Sequence, residues 1–197
     1  MMIGIDITPS MIKKAQSDAD SVGVLNNSIL QGKGTLAGKI GEEIAVRSFG
    51  AEIVDSYSYD VMMQGKRVEI KTKRRKRIPE SDYEVSIART SAHQALDADT
   101  YLFISLTMNG DIPVKGWVCG EMPVSEYFDR ARLIRKGEID HSNNFVCQTD
   151  MYNMFISELY PVELPVFNEQ MTMGSILEDT LIVPESDMGK YEHCTVS

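Results

Sequence analysis

With 197 residues, 43% hydrophobic and 25% charged, the chain is long enough for one α/β domain with a sizeable core, and its net charge of −9 argues on average composition against a nucleic-acid partner. No apolar run reaches about 18 residues and the amino terminus lacks the regions of a secretion signal, so we expect an intracellular, cytoplasmic protein without a membrane span. The three cysteines and three histidines are scattered, which excludes a disulfide framework, a thiolate zinc site and the signatures of metalloproteases and serine hydrolases.

The first predicted element is a helix from Thr8 to about Asn27. Thr8 followed by Pro9 is the pattern of an N-cap and a first helical residue. We assign three regions: an N-terminal helical extension at residues 1–34, a core at residues 35–160 and an acidic carboxy-terminal extension at residues 161–197.

A second helix is predicted from Thr35 to Phe49. Its apolar residues recur at helical spacing, and Gly50 follows its last residue. Gly38 and Gly41 lower its helical propensity by about 1 kcal/mol each relative to alanine. Glycines in a helix that still forms usually allow another backbone or a ligand to approach closely.

Strands dominate the rest of the predicted core. A strand at Ala51 to Ser56 precedes a hairpin in which Tyr57 to Met63 pairs with Lys66 to Lys73 around Gln64-Gly65. The later elements are a third strand at Tyr83 to Ala88, a helix beginning in Ser91 to Leu96, a buried strand at Thr100 to Leu106 suited to the sheet centre, a strand at Val114 to Cys119 and a helix at Ser125 to Leu133.

The predicted hairpin gathers charged side chains on one face. A two-residue turn places Asp60 directly opposite Glu69, and side-chain alternation puts Lys71 on the same face. The other face is apolar and consists of Val61, Val68 and Ile70. Directly opposed residues have Cβ atoms about 4.5–5.5 Å apart, and two like charges at that separation destabilise a sheet unless positive charge compensates.

Two sources of that positive charge remain open from the residues alone. Lys71 is an internal counter-ion in one interpretation, which makes the hairpin an ordinary surface with mixed charges. In the other, a divalent cation lies between the carboxylates, because Mg²⁺ takes oxygen ligands at about 2.0–2.1 Å, usually from one or two carboxylates, water and phosphate.

The same residues resemble the signature of a nuclease superfamily. Tyr59-Asp60, eight intervening residues and Glu69-Ile70-Lys71 are similar to the PD-(D/E)XK motif of restriction-endonuclease-like enzymes, with Tyr59 in place of the proline. The preceding Gly38 to Glu43 resembles the GxxGE element on the first helix of such nucleases, notably Holliday junction resolvases. By that match Glu42 completes the acidic cluster, and Glu43 is the alternative.

The resemblance implies a fold, a metal and a chemistry. The fold is α/β, with a restriction-endonuclease-like core in which a central mixed sheet of four to five strands is flanked by helices. The metal is Mg²⁺, with Mn²⁺ as a substitute, and its ligands are Asp60, Glu69, Glu42 and the backbone carbonyl of Ile70. Lys71 assists hydrolysis of a phosphodiester bond by metal-activated water, and a homodimer is a further expectation because many such nucleases act as dimers.

A basic run follows the motif directly. The segment Lys66 to Arg77 holds eight of the chain's twenty basic residues, which offsets the acidic average locally. Such a run taken alone is equally typical of a solvated loop or a targeting signal. Its place after the motif favours contacts with DNA phosphates, for which the candidates are Lys73, Arg74, Arg75, Lys76 and Arg77.

Other functions stay open at this stage. The chain is interpreted as an endodeoxyribonuclease. Its downstream segments resemble phage-type members of this class, which are encoded in a bacterial host. A catalytically inactive DNA-binding or phage structural module that keeps the fold is the main alternative. A third interpretation makes the basic run a targeting or RNA-contact patch on an unrelated α/β enzyme.

Overall fold

The computed structural model describes residues 1–22, 33–89, 97–140 and 145–165. The chain divides into two compact units, Met1–Leu164 and Pro165–Ser197. Three sequence-based assignments therefore lie outside the described residues: the end of the first helix after Val22, the helix beginning in Ser91 to Leu96, and the acidic extension after Pro165.

Strands outnumber helices among the described residues of the first unit. They are β1 (Ile3–Asp6), α1 (Pro9–Val22), α2 (Lys33–Phe49), β2 (Glu52–Ile53), β3 (Val61–Met63), β4 (Lys66–Arg75), β5 (Glu84–Ala88), β6 (Thr100–Asn109), β7 (Ile112–Pro123), α3 (Val124–Arg130), β8 (Arg132–Ile134), β9 (Ile139–Asp140), β10 (Phe145–Val146), β11 (Met151–Phe155) and a 3-10 turn (Ile156–Glu158). The α/β class is confirmed. Among the helices in this part of the chain, none combines the length and apolar character needed to span a bilayer.

Within the described residues the main sheet has six strands in the order β1-β7-β6-β4-β3-β2. β4 and β6 are parallel, whereas the other neighbours are antiparallel, so the sheet is mixed as predicted. The predicted count of four to five strands is wrong, because β1 is an additional edge strand that pairs with β7. The sequence of these four residues did not predict a strand. β6 lies at the buried centre, as its apolar sequence predicts.

The predicted third strand of the core belongs to a different sheet. β5 pairs with β11, which also pairs with β8, and together they form a second, antiparallel sheet. β4 pairs with β3 only through Lys66–Val68 and with β6 along Val68–Arg75, and β5 is connected to β4 through the side chains of Lys73 and Arg75, which donate to the Glu84 carbonyl. The Tyr83 to Ala88 segment is therefore a strand, but its neighbours were not predictable from local pattern.

Three predicted boundaries are corrected by tertiary pairing. The helix assigned to Ser125 to Leu133 ends at Arg130, because Ala131 is extended at φ −70° and ψ 143° and the next residues pair with β11. The strand assigned to Ala51 to Ser56 shortens to Glu52–Ile53, which pairs with β3. The first hairpin strand likewise shortens to Val61–Met63.

Helices α1 and α2 cover one face of the main sheet; α1 begins as the sequence indicates, whereas α2 begins two residues earlier than predicted, at Lys33. The Met11 N–H donates to Thr8 Oγ1 at 3.3 Å, which confirms the N-cap. A Cβ added at Gly41 would lie 2.1 Å from Thr72 Oγ1, so glycine lets α2 approach β4 closely. A Cβ at Gly38 meets nothing within 4 Å. Of the two glycines, only Gly41 therefore allows the expected close approach of a neighbouring strand.

Two apolar clusters occupy opposite faces of the main sheet. The cluster under α1 and α2 includes Ile40, Ile44, Val61, Val68 and Ile70. The cluster on the other face, which packs against α3 and the second sheet, includes Ile87, Tyr101, Phe103, Tyr127 and Met154. The charged face of β4 therefore borders the second cluster, on the same side as Tyr101 and Phe103.

Candidate active site

The hairpin that carries the candidate motif has the predicted register. Met63 is paired with Lys66, and Val61 with Val68. Gln64 and Gly65 both have positive φ, 52° and 75°, as a two-residue turn of this kind requires. Val61, Val68 and Ile70 are all buried under the helices, which confirms the predicted apolar face.

Asp60 departs from the predicted ladder in a way that defines the site. Its N–H donates to the carbonyl of Val68 at 3.0 Å, although Val68 is already paired with Val61. Two consecutive residues thus face one residue of β4, and the regular ladder ends at Val61. Beyond that point the Asp60 side chain replaces a backbone carbonyl as acceptor, because its Oδ2 accepts the Ile70 N–H at 2.7 Å. Asp60 is therefore held at the end of the hairpin by β4 rather than as a simple cross-strand partner of Glu69.

Glu69 and Lys71 form an ion pair beside Asp60. Lys71 Nζ lies 2.6 Å from Glu69 Oε1, and the two side chains are only 23% exposed for the lysine and 13% for the glutamate. Burial is the main cause that raises the pKa of Glu69, and the negative charge of Asp60 raises it further against the opposing effect of Lys71. Burial likewise raises the pKa of Asp60, while the Ile70 N–H and Lys71 lower it. Two carboxyls and one ammonium thus share a partly dehydrated surface, as the alternation predicts.

Helix α2 brings Glu42, rather than Glu43, towards this cluster. Glu42 is 7% exposed, and Lys39 Nζ lies 2.7 Å from its Oε2. Burial raises the pKa of Glu42 most, and Asp60 adds to the increase. Glu43 instead pairs with Arg47 at 2.6 Å, and Arg47 also donates to Ser10 of α1. The charge of Asp60 thus acts on Glu42, and that of Glu42 acts on Glu69, whereas the Glu43 carboxylate is occupied by Arg47.

The carboxyls fit a divalent cation only in part. Across residues 1–22, 33–89, 97–140 and 145–165, no group of three or more His, Cys, Asp and Glu side chains is arranged to hold a metal ion. Asp60 and Glu69 nevertheless supply the hard oxygen donors that a divalent cation prefers. The charge of Asp60 raises the pKa of Glu69, and a bound cation would offset this repulsion between the two carboxylates. In a strand, one residue's N–H and carbonyl face the same neighbour, so the Ile70 carbonyl points to the edge where β3 has ended.

The basic run after the motif is divided by strand alternation. Lys73 and Arg75 face the second sheet and are half-buried, and both donate to the carbonyl of Glu84, at 3.3 and 2.7 Å. Lys73 also donates to Ser86 Oγ, and Arg75 to Ser105 Oγ. Burial, followed by the charge of Arg75, lowers the pKa of Lys73 to about 8. These two cations tie the sheets together.

The other three cations of the run face outwards or lie beyond the strand. Arg74 pairs with the exposed Asp111 at 2.8 Å. Lys76 and Arg77 follow β4 and are exposed. They are therefore the cations of the run that are most open to a phosphate backbone.

A cavity of about 230 Å³ lies between the two sheets next to the ion pair. Its lining includes Lys71, Lys73, Ser86, Phe103 and Met151. Lys71 therefore borders both the acidic cluster and a cavity with a second ammonium group.

Three features in and around the site had no clear signal in the sequence. Lys39 pairs with Glu42 and lowers the pKa of Asp60, and its spacing three residues before Glu42 on a helix was the only available hint. Tyr101 is aligned with Glu69 across the parallel pair β4 and β6, a relationship that depends on which strands are neighbours. Glu84, Asp140 and Asn153 form a further buried polar group, joined by hydrogen bonds from the Asn153 amide.

Comparison with models of known protein families finds no match for this chain, and no curated protein matches it in sequence. The arrangement of the residues is therefore the basis for assigning a function. Asp60, Glu69 and Lys71 are brought together beside the middle of β4, whereas Lys76 and Arg77 follow its carboxy-terminal end.

Proposed function

We propose that this chain is a Mg²⁺-dependent nuclease of the PD-(D/E)XK type that hydrolyses phosphodiester bonds of DNA, acting as an endonuclease. The observation that carries the proposal is the end of the β3–β4 ladder at Val61. There the Asp60 carboxylate is held by the Ile70 N–H, on the same partly buried surface as the Glu69–Lys71 ion pair. Paired carboxylates can hold the metal for metal-assisted phosphodiester hydrolysis, and a neighbouring lysine can neutralise charge that develops on the phosphate.

Asp60 and Glu69 would hold the Mg²⁺, with the Ile70 carbonyl and Glu42 as further oxygen donors. When bound, the metal supplies a water of lowered pKa and stabilises charge on the phosphate. The protein fixes the donors in advance: Asp60 through the Ile70 N–H, and Glu42 through Lys39 on a helix packed closely at Gly41. Mn²⁺, which accepts the same oxygen ligands, would substitute.

Lys71 would orient the attacking water or neutralise charge that develops on the phosphate. Its Nζ lies 2.6 Å from Glu69 Oε1 and its side chain also lines the 230 Å³ cavity, so it would be able to turn from the carboxylate towards a phosphate bound beside the cluster. A single donor of this kind can contribute a few kcal/mol to transition-state stabilisation.

DNA would follow the basic run away from the acidic cluster. Lys76 and Arg77 are exposed and available for phosphates, and Arg74 has a mainly exposed partner in Asp111. Lys73 and Arg75 already donate to the Glu84 carbonyl between the sheets, so only their remaining N–H groups would be available for DNA phosphates. Such contacts position a duplex without reading its sequence.

The test is a cleavage panel. Labelled linear, nicked, branched and single-stranded DNAs, together with RNA, are incubated with the wild-type protein in Mg²⁺, Mn²⁺ or chelator. Metal-dependent cutting of at least one DNA is the expected result, and the preferred substrate identifies the class. Absence of cutting on every substrate with both metals would overturn the proposal.

A catalytically inactive DNA-binding module is the second candidate, and one observation favours it. Lys71 and Lys39 already pair with Glu69 and Glu42, so the cluster is largely compensated without a metal. The described residues also lack a group of three or more side chains arranged as a metal site. This candidate predicts DNA binding that is unchanged in chelator, with no cleavage.

A further inference from the structure

Tyr101 has a buried hydroxyl group next to the acidic cluster. The residue is 0% exposed, and its hydroxyl oxygen has no hydrogen-bond partner among the residues that the structure describes. Buried hydroxyls without a partner are rare, because the loss of hydration is not repaid by another hydrogen bond. A group of this kind in a functional region indicates a partner that arrives with a ligand or a rearrangement.

The hydroxyl belongs to the same surface as Glu69. Tyr101 is aligned with Glu69 across the parallel strands β4 and β6, and aligned residues on neighbouring strands point to the same face. Burial, and secondly the charge of Glu69, raises the pKa of Tyr101 to about 12, so the hydroxyl keeps its proton and remains a donor. The rings of Phe103, Tyr127 and Phe128 enclose the Tyr101 ring at centroid distances of 5.5 to 6.1 Å and restrict its movement.

Glu69 needs a second donor if Lys71 is to act on a substrate. In the described structure Lys71 Nζ is 2.6 Å from Glu69 Oε1. When Lys71 turns towards a phosphate, or when a bound cation displaces it from Oε1, that carboxylate loses its hydrogen bond while it remains partly buried. A carboxylate that binds a metal is normally oriented by a hydrogen bond to another group.

We propose that Tyr101 is a positioning residue for Glu69: its hydroxyl donates to the Glu69 carboxylate once Lys71 leaves that carboxylate. The inference rests on the proposed function, since it gives Glu69 a metal-binding role. Tyr101 acts through Glu69 and touches neither the metal nor the substrate. It therefore fixes the metal-binding geometry without taking part in the chemistry.

The experiment measures metal binding and thermal stability separately. Wild type, Tyr101→Phe and the matched control Tyr127→Phe are titrated with Mn²⁺, with free Mn²⁺ followed by electron paramagnetic resonance, and each is unfolded thermally in chelator. Tyr127 is a suitable control because it is also 0% exposed in the same cluster, whereas its hydroxyl donates to the Tyr152 carbonyl at 2.7 Å.

The two variants are expected to differ in both measurements. Tyr101→Phe removes a hydroxyl without a partner, so the Tm in chelator stays equal or rises, while Mn²⁺ affinity falls about 10-fold, the lower end of the effect of a lost orienting partner. Its cleavage rate at low Mn²⁺ falls and recovers when Mn²⁺ is raised. Tyr127→Phe lowers the Tm and leaves Mn²⁺ affinity unchanged.

Three other outcomes each overturn a defined part of the account. If the wild type binds Mn²⁺ and Tyr101→Phe binds it equally well, Tyr101 has no positioning role and the proposed function stands. If Tyr101→Phe lowers the Tm as Tyr127→Phe does and leaves Mn²⁺ affinity unchanged, the hydroxyl is structural. If the wild type binds no Mn²⁺, the proposed metal site fails and the role of Tyr101 fails with it.

Discussion

The Asp60 carboxylate accepts the Ile70 N–H at 2.7 Å, so a side chain fills the place that a backbone carbonyl fills elsewhere in the hairpin. The Asp60 carboxylate is thus a hydrogen-bond acceptor that stabilises the hairpin, and it also carries a negative charge that the proposed chemistry uses. Asparagine retains the acceptor and removes the charge, whereas alanine removes both. The two substitutions therefore separate stability from function.

Asp60→Ala should lower the free energy of unfolding by about 1–3 kcal/mol, because it leaves the Ile70 N–H without a partner. Asp60→Asn should remain close to wild type in stability, yet both variants should lose Mg²⁺-dependent cleavage. Urea denaturation in chelator and cleavage assays provide the two measurements. Equal destabilisation by the two substitutions would show that the amide does not replace the carboxylate as acceptor.

Glu42 and Glu43 give a matched pair for the helix-borne acid. Glu42→Gln should weaken metal-dependent cleavage about 10- to 100-fold, since its charge is coupled to those of Asp60 and Glu69. Glu43→Gln should leave cleavage unchanged, because its partner is Arg47. Cleavage rates across a Mg²⁺ titration distinguish them, and a loss confined to Glu43→Gln would assign the role to Glu43 instead.

The basic run should divide into structural and DNA-contacting cations. The double variant Lys76→Gln/Arg77→Gln should keep wild-type stability and reduce the slope of log affinity against log salt by about 0.9 for each duplex phosphate that it no longer neutralises. Lys73→Gln should instead leave the slope close to that of the wild type, because Lys73 is half-buried and donates to the Glu84 carbonyl. Fluorescence anisotropy at several salt concentrations measures the slope. An unchanged slope in the double variant would remove these residues from the DNA interface.

The acidic cluster should make metal-free stability depend on pH. Burial is the main cause that raises the pKa values of Asp60, Glu69 and Glu42. A carboxyl with a higher pKa when folded binds its proton more tightly in the native state, so its stabilising contribution is present below the unfolded pKa of about 4 and is lost as pH rises through the folded pKa.

As the pH rises from about 4 to about 8 in chelator, the free energy of unfolding should therefore fall less in the double variant Asp60→Asn/Glu69→Gln than in the wild type. Denaturation curves at several pH values measure the difference, and saturating Mg²⁺ should flatten the wild-type profile. Parallel profiles for the two proteins in chelator would contradict the expected pKa increase.

Gly41 and Gly38 test the packing of α2 against the sheet. Gly41→Ala places a Cβ 2.1 Å from Thr72 Oγ1 and 3.2 Å from Ile70 Cγ2, so it should destabilise by about 1–3 kcal/mol. Gly38→Ala meets nothing within 4 Å and should stabilise by up to about 1 kcal/mol through helix propensity. Thermal unfolding gives both values. A stabilising Gly41→Ala would show that α2 has room to move.

Local pattern was sufficient for the hairpin and for the faces of its strands. The turn at Gln64-Gly65 and the alternation of apolar and charged residues determine the register, and both are short-range properties. Pattern also located α2, with Gly50 at φ 65° after its end. The group formed by Asp60, Glu69 and Lys71 was predictable for this reason.

Long-range pairing was not predictable from the same pattern. β1 has only four residues and acquires its role from β7, which lies far along the chain. β5 was assigned correctly as a strand, yet its partner β11 is distant in sequence. The inward direction of Lys73 and Arg75 depends on that second sheet, so a run that looks uniformly exposed in the sequence has two roles.

The most direct test of the proposed function is single-turnover cleavage by Lys71→Met at saturating Mg²⁺. Methionine keeps the apolar stem of the side chain and removes the ammonium group, so folding and DNA binding in chelator should be retained. We predict that cleavage falls at least about 100-fold while DNA affinity stays close to wild type. Wild-type cleavage by Lys71→Met would contradict the assignment of this cluster as the catalytic centre.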